Sequence, residues 1–175
     1  MEKDRYPIGE FQCPDVISKE NIQGWLEEIK TFPQRLKAVV ENLSDEALAS
    51  TYRENSWNVR QLVHHLVDSH MNSYIRFKLA LTEDNPTIKP YAEDKWAELI
   101  DSTMPIEISL TLLESLHLRW TFLLETLTDE MLKRTFNHPD SGTTSLEKNI
   151  GIYAWHGNHH LAQILNALKR SGYNY

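Results

Sequence analysis

Cysteine is almost missing from this chain: Cys13 is the only one among 175 residues. No internal disulfide can therefore hold the fold, and a lone thiol suits a reducing compartment such as the cytoplasm. Six glycines and seven prolines are too few for a collagen-like or linker-type chain. Long apolar runs are also lacking. The most hydrophobic stretch, 106–127, is interrupted by Glu107, Glu114, His117, Arg119 and Glu125, which excludes a membrane span. The charged first five residues are followed by no signal-peptide core. There is no basic run either. Lys and Arg number 18 against 25 Asp and Glu, a net charge of −7, so phosphate backbones are repelled and broad nucleic-acid binding is excluded. Finally, no segment alternates apolar and polar residues long enough to demand a sheet. These absences leave a soluble, cytoplasmic chain acting on a small molecule, with neither a nucleic acid nor a membrane as partner.

What is present is helical periodicity in a chain of one-domain size, 1–175. Surface scaling buries roughly 70% of such a chain, enough for a core without a disulfide or structural metal. Four long segments repeat apolar residues at helical spacing. The first follows Ser18, with Ile22, Trp25, Leu26, Ile29, Leu36, Val39, Val40 and Leu43 three or four apart; Pro33 lies inside it and predicts a kink or a split. The second starts at Asn58-Val-Arg-Gln61, a capping box, and runs to about Leu81. The third spans 106–127, opened by Pro105. The fourth begins at Thr144-Ser-Leu-Glu147, read as another capping box, and continues to about Arg170, with Gly172 as its stop. Between the long segments, Pro86 and Pro90 frame a connection with a short helix around Trp96, and Pro139 and Gly142 mark turns of a small hairpin within 134–143. Leu43-Ser-Asp-Glu-Ala-Leu48 recurs 84 residues later as Leu127-Thr-Asp-Glu-Met-Leu132. Each copy follows one long helix and precedes a capped one. The expected fold is all-α, a four-helix bundle built from two long helical hairpins with short extra helices in the connections.

The eight histidines are the informative feature. His64, His65 and His70 belong to the second helix, and His156, His159 and His160 to the fourth. Residues four apart share a helix face, so His156 and His160 can point at one spot, the spacing with which a helix gives two imidazoles to a metal. His159 turns roughly 60–100° away, toward the polar side. For a third ligand, adjacent His64 and His65 point about 100° apart. Periodicity favours His65, on a polar strip beside the apolar stripe, over His64, further toward solvent. It leaves His70, within the apolar stripe, open. Two familiar nucleophile patterns are missing: His156 is followed by Gly157, so there is no H-E-x-x-H base, and Ser141-Gly142 lacks the G-x-S-x-G elbow. Cys13, near a terminus and far in sequence from any histidine, is not read as a nucleophile.

Two longer motifs make the chain recognisable. Trp57-Asn-Val-Arg-Gln-Leu-Val-His-His65-Leu resembles the start of the second helix of the DinB/YfiT-like superfamily, and His156-Gly-Asn-His-His160-Leu-Ala-Gln163-Ile resembles its last helix. Tyr6-Pro-Ile-Gly-Glu10, Ile88-Lys-Pro-Tyr91 and Lys95-Trp96-Ala extend the resemblance over essentially the whole chain. The resemblance implies a four-helix bundle, usually dimeric, holding one divalent ion through His65, His156 and His160. It also implies a metal-dependent hydrolase, or a transferase working with a low-molecular-weight thiol such as bacillithiol. A non-catalytic metal-binding bundle is the third reading. Three imidazoles leave such an ion an open position for water or thiolate. Zinc suits that donor set, and nickel or cobalt fit as well.

Overall fold

The computed structural model describes residues 2–173. Four long helices dominate: α2 (Lys19–Val40), α4 (Val59–Thr82), α6 (Ile106–Leu124) and α8 (Leu146–Arg170). Single-turn helix α1 (Glu2–Arg5) precedes them, and single-turn helices α3 (Asp45–Leu48), α5 (Glu93–Trp96) and α7 (Asp129–Leu132), one 3-10 turn (Ile100–Thr103) and a hairpin of β1 (Thr135–His138) and β2 (Gly142–Ser145) occupy the connections. The helix starts follow from capping. Ser18 and Asn21 form a capping box on α2, and Asn58 and Gln61 form one on α4. The fourth helix starts one residue later than its sequence suggests. Thr144 pairs with Phe136 in the hairpin, so Ser145 becomes the N-cap. Glu147 is then free to receive Lys133 Nζ at 2.7 and 2.8 Å instead of closing a capping box.

The echo in the sequence is an echo in structure. Ser44 caps α3 and Thr128 caps α7. After each, the chain turns back on the next long helix: the Val59 N–H donates to the Ser50 carbonyl and the Leu146 N–H to the Arg134 carbonyl, 84 residues on from Ser50.

The four-helix bundle stands, but its pairing is not that of two adjacent hairpins. α2 packs against α6 and α8, and α4 packs against α6 and α8. The pairs α2/α4 and α6/α8, expected as hairpins, therefore lie across the diagonals. Adjacent helices sit about 8–10 Å apart, so a diagonal is roughly 1.4 times longer, beyond a tight turn. The connections 41–58 and 125–145, each with its one-turn helix and backbone bridge, are long enough to cross it.

Pro33 neither splits nor ends α2, because it lies mid-helix on the buried side, held by packing on two neighbours. Close approach of α8 to α2 depends on glycine. A Cβ at Gly157 would meet the Phe32 ring at 3.0–3.1 Å, and one at Gly151 would meet Phe11 at 2.8 Å. Position 157 cannot carry the glutamate that would complete an H-E-x-x-H helix without displacing Phe32. The core forms two apolar clusters, one around Leu36, Leu62, Leu66, Leu113 and Leu168, the other around Ile29, Phe77, Trp120, Leu124 and Ile150. Most of the histidines fall between them along the helices.

Candidate metal centre

His65 on α4 and His156 and His160 on α8 converge where those helices pack. Their ligand-capable nitrogens all lie within 4.8 Å of one another. One helical turn puts His156 Nε2 3.2 Å from His160 Nε2. Two nitrogens each 2.0–2.1 Å from a tetrahedral zinc would be about 3.4 Å apart, so the pair is already near ligand spacing. His160 Nδ1 lies 2.8 Å from Gln163 Oε1. The Gln163 amide is oriented by its Nε2, which donates to the Arg5 carbonyl at 2.8 Å. Nδ1 of His160 therefore carries the proton, and Nε2 is a bare lone pair. Burial keeps all three rings neutral: His65 is pushed down to about 4, and His156 and His160 well below 6.5. Desolvation is the largest cause, and repulsion from neighbouring histidines, His159 in the case of His65, is the next. Neutral imidazoles with lone pairs turned to a common point are what a divalent cation requires. Trp57 packs on the His65 ring at 4.6 Å between centroids.

The other histidines are placed differently from what periodicity suggests. His64 is buried rather than turned to solvent. Its Nε2 donates to the Met104 carbonyl at 3.0 Å and its Nδ1 accepts from Ser109 Oγ at 2.7 Å, so it pins the start of α6. His159 does not reach the polar side. It is buried, stacked on Trp155 at 4.6 Å, with Nε2 accepting from Gln163 Nε2 at 3.1 Å. Arg5 and α1 cover this face of α8 and bury it, which helix periodicity alone does not show. His70 is fully buried, with Nδ1 2.8 Å from His117 Nε2 and Nε2 3.1 Å from His156 Nδ1. His138 lies on β1.

A cavity of about 300 Å³ opens over the three histidines. Its wall includes Arg5, Tyr6, Arg53, Trp57, Trp155 and His159. A neighbouring cavity of about 540 Å³ reaches His156 from the other side, past Tyr91, Arg76 and Tyr153. Glu93 and Asp94 at the start of α5 border both. Burial raises the Glu93 carboxyl, with repulsion from Asp94 adding to it. Asp68 is pushed up to about 6 by burial and by Asp101. Arg53 Nε and His159 Nδ1 are buried without a hydrogen-bond partner. Among the polar residues near the histidines, Gln163 is taken up by core pairing, and Asn72 donates to the Asp68 carbonyl at 2.8 Å. The Tyr153 hydroxyl lies 3.3 Å from Ser69 Oγ. Cys13 is exposed and takes no part in the site. Arg5, Arg53 and Glu93 lie in loops or one-turn helices, and no periodicity points to them. Their only signal is proximity in sequence to the Tyr6-Pro-Ile-Gly-Glu10, Trp57 and Tyr91 motifs.

Comparison with known proteins identifies relatives along nearly the whole chain. A relative from Halalkalibacterium halodurans is 56% identical over 96% of this chain and 98% of its own length. One from Bacillus cereus is 57% identical over 97% and 98%. Both bear the name "Putative metal-dependent hydrolase". YfiT from Bacillus subtilis, described as a probable metal-dependent hydrolase with an unusual four-helix bundle topology, superposes with a TM-score of 0.95. It is 49% identical over 98% of this chain and 99% of its own, a relative rather than the same protein. A mycothiol-dependent maleylpyruvate isomerase shares the fold, with a TM-score of 0.67 at 12% identity over 90% of this chain and 63% of its own. Residues 28–164 match the DinB superfamily model, and the chain belongs to that superfamily.

Proposed function

We propose that this protein is a metal-dependent hydrolase in which His65, His156 and His160 would hold one divalent ion, zinc by preference, which would supply an activated water for hydrolysis of a small-molecule ester or amide. The observation that carries this is the convergence of three neutral imidazoles within 4.8 Å at the floor of an open cavity. The names of relatives at 56–57% identity support it. A zinc ion bound by three histidines lowers the pKa of its water toward 7 and so supplies hydroxide near neutrality. The chain's own residues do the rest. The unpartnered N–H groups of Arg53 and His159 suit an oxygen-rich polar group on the substrate. Glu93, beside the cavity with a raised carboxyl pKa, is placed to exchange a proton with a leaving group.

Zinc-loaded protein is expected to turn over a susceptible ester or amide with no thiol added, at a rate rising through about pH 7 to 9. Conjugation of a low-molecular-weight thiol to an electrophile, with no hydrolysis across the same panel, would assign the thiol-transferase reading instead. Stoichiometric metal with neither activity would assign a binding bundle. We propose further that the chain is a homodimer in the cytoplasm. Ile108, Leu112, Leu118 and Phe122 are exposed along α6, an unusual apolar content for a helix facing water. Light scattering should give twice the monomer mass for the native chain and a monomer for Phe122→Asp.

A further inference from the structure

We infer that His117 and His70 are positioning residues that fix which nitrogen of His156 faces the metal centre, and that Pro33 supplies the anchor for this relay. The inference rests on the metal site proposed above. Pro33 has no N–H, so the carbonyl of Ile29, four residues earlier in α2, lacks its helical donor. That carbonyl is taken by His117 Nδ1 at 2.7 Å. His117 Nε2 lies 2.8 Å from His70 Nδ1, and His70 Nε2 lies 3.1 Å from His156 Nδ1.

A carbonyl only accepts, so the first contact must contain a proton on His117 Nδ1. A neutral ring has one proton, which makes His117 Nε2 an acceptor. His70 must then donate from Nδ1 and accept at Nε2, and His156 must donate from Nδ1. Three rings and three contacts use three protons, and His156 Nε2 is left bare beside the bare His160 Nε2 at 3.2 Å. The reverse polarity would set an unprotonated His117 Nδ1 against the Ile29 carbonyl oxygen, lone pair to lone pair at 2.7 Å. His70 and His117 are 0% and 1% exposed, so water cannot relieve that conflict. One backbone carbonyl in α2 thereby dictates the tautomer of a histidine in α8, through α6 and α4. The Arg5 carbonyl does the same for His160 through Gln163.

The test reads tautomers directly, without metal. In 15N-histidine-labelled, chelator-treated protein above pH 7, long-range 1H–15N correlation should show His117, His70 and His156 all protonated on Nδ1. An Nε2–H form of any of the three overturns the relay. Zinc affinity, read by competition with a chromophoric chelator, should fall about 10–100-fold in His117→Phe, the usual cost of removing a ligand's orienting partner. His117→Gln, which can still donate to Ile29 and accept from His70, should recover most of it. Equal affinities in the Phe and Gln variants would reduce His117 to packing and overturn the proposal. If His117→Phe does not fold, the wild-type spectrum still decides. Wild-type protein with the stated tautomers but no zinc binding refutes the metal site and spares the relay. Zinc binding with other tautomers refutes the relay alone.

Discussion

Replacing His160 by alanine is expected to weaken zinc binding by well over about a hundredfold, since losing even an orienting partner costs 10–100-fold. Stoichiometric metal should be lost at micromolar protein, and His65→Ala and His156→Ala should behave alike. His159→Ala should keep its metal, because the Gln163 amide is still aimed by the Arg5 carbonyl. The same variants provide a thermal reading. An ion at a hundred times its Kd stabilises the native wild type by about 2.7 kcal/mol, which for a chain of this size raises Tm by about 5–10 °C. The alanine variants should show no such rise. A chelator should lower the wild-type Tm without abolishing the helical circular dichroism signal, because two apolar clusters remain. Full metal content in His156→Ala, measured by atomic absorption after gel filtration, would remove the site.

The second large effect is acid lability of the metal-free protein. Burial depresses seven histidines, first by desolvation in each case: His64, His65, His70, His117, His156, His159 and His160. The unfolded chain binds more protons than the folded one wherever the pH lies between the depressed values and 6.5. Stability therefore rises with pH across that window and is lost as pH falls through it. His117, lowered from 6.5 to about 4, alone accounts for about 3 kcal/mol between those limits. A second ring with the same shift, His65, brings the loss to about the size of a typical domain's whole stability. Metal-free protein should unfold cooperatively between about pH 6 and 4, seen by circular dichroism. Loaded protein should resist to lower pH, because protons must then displace the ion. A melting temperature flat from pH 7 to 4 would mean the rings are not buried neutral.

The four long helices were legible because each repeats apolar residues at helical spacing behind a capping residue: Ser18 for α2, Asn58 for α4. The His156–His160 pair was legible from its spacing of four. His65 was only preferred, since nothing local separates a ligand from a core histidine such as His70. The resemblance to the superfamily singled it out. The diagonal crossing was not legible, because periodicity tells which face is buried and not which neighbour buries it. Thr144 has the sequence of a cap, and its hairpin partner, Phe136, lies across a turn where local pattern does not reach. Periodicity turns His159 and His64 toward the polar side because their covers, α1 and the 3-10 segment before α6, carry no periodicity of their own. Pro33 predicts a kink or a split, and the split is avoided because the Ile29 carbonyl its missing N–H leaves free is taken across the bundle by His117.

The diagonal arrangement also sets an order of events. α2 meets α8, the last long helix, and His65 meets His156 only across 90 intervening positions. Contacts so distant along the chain close late, after the loop entropy between them has been overcome. On a ribosome, a chain that has released α2, α4 and α6 holds one of the three histidines, and of the two neighbours of α2 only α6 is present. At the proposed site an ion would load only after residues 146–170 have emerged and docked, so that metal capture would follow folding and not guide it.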